Sequence, residues 1–102
     1  MNWNKQEYKR LVQAFLSLKN ADEARRFLCD LLTPDEIEEF AKRFQTAEML
    51  SEEVSYAVIQ KKTGLSSTTV ARVSKWLNGK GGGYRSVISK LHHRSTSLAR
   101  GS

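Results

Sequence analysis

Apolar residues recur along most of the chain at three- and four-residue spacing, and they never alternate one for one with polar residues. The pattern therefore predicts helices and no strands. Tyr8, Leu11, Val12, Phe15 and Leu16 form a first stripe over Lys5 to Leu18. A second, made of Ala24, Phe27, Leu28, Leu31 and Leu32, follows Asn20 and Glu23, which have the spacing of a capping box. These two helices carry more apolar surface than one short hairpin can hide, so they are expected to pack on a partner chain.

Thr33-Pro34-Asp35-Glu36 is the clearest helix start in the chain. Thr33 can cap, Pro34 stands where no amide bond is missed, and Glu36 can answer the cap. Ile37, Phe40, Ala41, Phe44, Ala47 and Leu50 then keep one face of a third helix apolar as far as Leu50, with Glu38, Glu39, Lys42, Gln45 and Glu48 on the other. Ser55 is placed to cap a short fourth helix, Tyr56 to Thr63, and Ser66 a fifth that reaches Leu77 before Asn78-Gly79 ends it. The glycine-rich run from Gly79 to Gly83 predicts a turn or hinge. Tyr84, Val87, Ile88 and Leu91 support a last helix over 84–93, and residues 94–102 are expected to form a disordered tail. The predicted fold is an all-α, single multi-helix domain over 1–93, with dimerisation helices over about 1–32, a core helix over 33–50 and a helix-turn-helix over 55–77.

That helix-turn-helix reading rests on Thr63 to Val73. Gly64 can take the positive φ that reverses the chain, Leu65 can plug the angle between two helices, and Ser66 can start the next. Val70 and Val73 then face inward, which leaves Thr68, Thr69 and Arg72 on or near the outer face, where hydroxyls can approach base edges and arginine can meet phosphate or guanine.

Charge strengthens the reading. Residues 1–50 hold eight Lys/Arg and nine Asp/Glu, whereas residues 51–102 hold nine Lys/Arg and two Asp/Glu, and no acidic residue follows Glu53. A solvated face would mix signs, so an acid-free segment that contains the motif points to a polyanion. A basic tail would account for Arg94 and Arg100, but not for Lys61, Lys62, Arg72 and Lys75 inside a periodic apolar pattern. No apolar run approaches the roughly 18 residues of a membrane span, the polar start is unlike a signal peptide, and Cys29 is the single cysteine, so a cytoplasmic protein without an internal disulfide is expected. No nucleophile, base and acid come together in the sequence, so an enzyme is not expected. His92 and His93 are adjacent and would point apart on a helix, so no metal site is expected either. The glycine run lacks the Lys-Ser/Thr end of a nucleotide-binding loop, and no cofactor is expected.

Leu31 to Glu36, then Arg43, then the helix-turn-helix together resemble the bacterial Trp repressor superfamily. Ala71-Arg72-Val73 followed by Trp76-Leu77 and Gly81-Gly82-Gly83-Tyr84 is more similar to its Trp-repressor-related YerC/YecD group. The resemblance implies an intertwined homodimer whose two recognition helices, over about Ser67 to Leu77, enter successive major grooves about 34 Å apart on a near-palindromic operator. By position, it places Ser67, Thr68, Thr69 and Ala71 at bases, with Ser66 and Arg72 also at the DNA. Lys61, Lys62 and Lys75, with backbone amides near Ser67, are placed at phosphates. The function implied is a sequence-specific DNA-binding transcriptional regulator, in the first place a repressor. The competing readings are a repressor dependent on tryptophan or another small ligand, and a basic helical module that binds protein or RNA.

The resemblance also bears on a ligand. The threonine and two arginines that hold tryptophan in Trp repressor correspond to Thr33, Arg43 and Arg72, but the adjacent glycine corresponds to Val73 and a ligand-contacting serine to Trp76. A branched side chain at 73 would invade the slot for the indole, so the pocket is expected to be vestigial and free tryptophan not to act as corepressor. Simpler roles are available to the same residues: Thr33 as a helix cap, Arg43 paired with Glu39 or Glu36, and Trp76 as core or packed on Arg72.

Overall fold

A computed structural model describes the backbone of residues 1–101 and the side chains of residues 1–93, so the tail expected at 94–102 lies outside the residues described in full. The described chain has six helices and no strand: α1 (Gln6–Leu16), α2 (Ala21–Leu31), α3 (Pro34–Ser51), α4 (Tyr56–Thr63), α5 (Ser67–Asn78) and α6 (Gly83–Gly101). The fold is all-α. No helix among the described residues is long and apolar enough to cross a membrane.

Helix starts follow from local polar chemistry. Asn20 accepts the Glu23 amide at 2.9 Å, and the Glu23 carboxylate accepts the Lys19 amide at 3.0 Å, one residue earlier than a standard capping box. At α3 the box is reciprocal: Glu36 N–H donates to Thr33 Oγ1 at 3.2 Å and Thr33 N–H to Glu36 Oε1 at 2.9 Å. Ser55 accepts from the Val58 amide and Ser66 from the Thr69 amide, so α4 and α5 are each capped by the serine just before them.

Chain contacts form two compact units, Met1–Ile37 and Glu38–Ser102. In the first, Phe15 meets Phe27 edge to face with ring centres 5.5 Å apart, and Trp3 meets Tyr8 at 5.9 Å. Yet neither α1 nor α2 buries a single residue, and Leu11, Val12, Phe15, Leu16 and Leu31 are all at least 40% exposed.

The second unit has a true core. Ala47 from α3, Ile59 from α4, and Val70, Val73 and Leu77 from α5 are buried, the first four completely. Helix α3 ends in a reversal in which Val54 N–H reaches Met49 O and Glu53 N–H reaches Leu50 O, both at 3.0 Å. This requires a left-handed residue at position 53, and Glu53 supplies it at φ 62° where glycine is the usual choice.

Candidate nucleic-acid interface

Helix α5 is positioned first by the turn before it. Gly64 has φ 75°, the left-handed conformation expected of it, and its amide closes α4 on Gln60 O at 2.8 Å. Thr63 reinforces the turn in a way the sequence reading missed. Its buried hydroxyl donates to Ile59 O at 2.8 Å and accepts the Leu65 amide at 3.2 Å, so the last turn of α4 and the first residue after Gly64 share one oxygen. Leu65 is half-buried in the angle.

Val70, Val73 and Leu77 form the inward face of α5. Ser67, Thr68, Ala71, Arg72 and Lys75 are exposed. At about 100° per residue the two sets centre on opposite sides of the helix. Thr69 is half-buried on the flank, and its hydroxyl lies 3.1 Å from Ser66 Oγ, so the hydroxyls of Ser66 and Thr69 are joined within the cap itself. Lys61 and Lys62 are exposed in the last turn of α4, where they also complement the negative helix end.

All ion pairs among the described residues lie before residue 44: Asp22 with Arg25 and Arg26, Glu38 with Lys42, and Glu39 with Arg43. Lys61, Lys62, Arg72 and Lys75 are exposed and make none of these ion pairs, so no carboxylate neutralises them.

The residues expected around a vestigial ligand pocket have other occupations. Thr33 is the cap of α3. Arg43 Nε lies 3.4 Å from Glu39 Oε1 but is not aligned to donate to it, and this buried N–H has no hydrogen bond. The Arg43 guanidinium lies over two rings, with its central carbon 5.9 Å from the centres of both Phe40 and Trp76. Arg72, the partner considered for Trp76, points to solvent instead. Nor is Trp76 part of the core: it is 48% exposed. The inward face of α5 is already filled by Val70, Val73 and Leu77, and Trp76 falls on the flank facing Gly81, Gly82 and Gly83, which have no side chains to cover it. With Phe44, Tyr84 and Val87, those residues line an open, mainly apolar groove of about 520 Å³. Val73, by contrast, is fully buried.

Across residues 6–92 the chain matches the family model of the Trp repressor protein. It belongs to the Trp repressor family. It is 36% identical over 90 residues to the uncharacterized protein YerC of Bacillus subtilis, covering 88% of this chain and 86% of YerC. Among solved structures it is similar to a TrpR-like protein from Eubacterium eligens, with TM-score 0.84 and 41% identity over 88% of this chain and 93% of that one. A candidate Trp repressor from Staphylococcus aureus follows, with TM-score 0.83 and 28% identity over 90% and 95% of the two chains. The Trp repressor family is one of DNA-binding regulators rather than enzymes.

Proposed function

We propose that this member of the Trp repressor family is a sequence-specific transcriptional repressor that binds a near-palindromic operator as a homodimer, without free tryptophan as corepressor. The observation that carries the reading is the outer face of α5: small polar and basic side chains opposite a fully buried face, in a segment without any acid. Ser67, Thr68 and Ala71 leave room for a helix to sit deep in a major groove, and Arg72 can reach a guanine edge or phosphate. Lys61, Lys62 and Lys75 supply phosphate contacts that fix register, with Ser66 and Thr69 holding the first turn and its amides in place.

The exposed apolar stripe of α1 and α2 supports association with a second copy, because the first unit leaves Leu11, Phe15 and Leu16 uncovered. Two recognition helices about 34 Å apart would then read two half-sites. Independence from tryptophan is supported by Val73, whose branched side chain is fully buried on the inward face of α5, and by Trp76, whose indole already lies over the Arg43 guanidinium. An indole ligand would have to displace both.

The test is selection of bound duplexes from random DNA with purified protein and no ligand. Two inverted half-sites about one helical turn apart are expected. Enrichment of no sequence would refute specific binding, and a single half-site would refute the dimer. Calorimetric titration with tryptophan is expected to give no saturation; micromolar binding that tightens operator binding would overturn ligand independence.

A further inference from the structure

Helix α5 is held at its far end by a residue from outside the helix-turn-helix. Arg85, in the first turn of α6, donates from Nη1 to Leu77 O at 2.6 Å and to Gly79 O at 2.8 Å. Both hydrogens of that nitrogen are used. The acceptors lie where a helix leaves carbonyls without partners and where its dipole favours a cation, so these are charge-assisted bonds to groups that otherwise need water. The glycine run makes the approach possible. Gly82 has φ 71°, a left-handed turn that L side chains rarely adopt, and it brings the chain back so that Arg85 reaches the end of α5. Arg85 has no carboxylate partner among the described ion pairs, which leaves the end of α5 as its anchor.

We propose that Arg85 is a positioning residue for sequence recognition: it fixes the direction of α5 without touching DNA. The proposal rests on the reading of α5 as the recognition helix. The start of α5 is set by the Gly64 turn and the Ser66 cap, and its inward face is held by Val70, Val73 and Leu77 in the core. Arg85 adds a polar anchor on the backbone of the last turn, and the outer-face residues it steadies most are those nearest that end, Arg72 and Lys75.

The test compares the full-length chain with Arg85→Met and Arg85→Lys on a selected operator and on a scrambled duplex, each over a salt series. Arg85→Met is expected to weaken operator binding by at least about ten-fold, the scale of one lost specific contact, with scrambled binding and the salt slope unchanged. Arg85→Lys, which keeps the charge and part of the donor set, is expected to fall between. An unchanged ratio between the two duplexes would overturn the proposal. So would equal losses on both with the slope reduced by about one, which would make Arg85 a phosphate contact. Should Arg85→Met fail to fold, Arg85→Lys carries the same comparison. Hydrogen exchange separates this proposal from the one beneath it. If the native chain prefers no sequence, the reading of α5 falls, while faster exchange at residues 76–80 in either variant, with α4 unchanged, upholds the clamp and unchanged exchange refutes it.

Discussion

Replacing Gly64 by alanine separates conformational strain from crowding at the turn that sets the angle between α4 and α5. No atom lies within 4 Å of where the new Cβ would stand, so the substitution meets open space while the backbone is at φ 75°. An L-residue in the left-handed region costs about 1–2 kcal/mol. Against this, alanine removes unfolded-state freedom worth about 0.4–1 kcal/mol. The net loss is about 1 kcal/mol, or roughly 4–8 °C in Tm for a domain of this size. Circular dichroism melts at one fixed protein concentration measure it, since association contributes to apparent stability. Gly64→Asn is the control, because asparagine enters the left-handed region more readily, and it should lose clearly less. A Gly64→Ala protein that melts with the native chain, or a Gly64→Asn protein as unstable as Gly64→Ala, would refute the reasoning.

Glu53→Gly should do the opposite and raise Tm, by relief of up to about 1 kcal/mol of strain at φ 62°; a lowered Tm in the same melts would show that the carboxylate has a favourable contact there. Thr33→Ala removes one half of the reciprocal cap on α3 and should cost about 1 kcal/mol by denaturant unfolding, with tryptophan titrations unaltered. Thr68→Ala should weaken a selected operator by about 1–3 kcal/mol and leave scrambled duplex unaffected in fluorescence anisotropy. Lys62→Ala should weaken both duplexes alike and reduce the salt slope by about one.

Helix starts are the most legible part of this fold, because a cap is decided within four residues: Asn20, Thr33, Ser55 and Ser66 each hydrogen-bond the amide three positions on. The inward face of α5 is legible for a similar reason, since Val70, Val73 and Leu77 follow helical spacing with no competing apolar stripe. Trp76 is not. Its spacing suits the core, and only the position of the glycine run across from it leaves the ring half exposed. Arg85 is hidden for another reason: an arginine eight residues after Leu77 carries no mark of the two carbonyls it reaches, because that contact depends on how Gly82 turns the chain. The left-handed Glu53 is likewise invisible, since glutamate gives no local signal for a conformation that its neighbours impose.

The reciprocal cap at Thr33 bears on how members of this family can be sorted by what controls them. Its hydroxyl has a folding duty that would be selected in any relative whose third helix starts this way, whether or not that relative answers to a small molecule. A threonine at this place is therefore silent about allosteric control. On the proposed reading the informative position is 73, which has no such second duty toward the backbone and here carries a fully buried valine. Surveys that assign effectors from this threonine alone would therefore count a helix cap as part of a sensor.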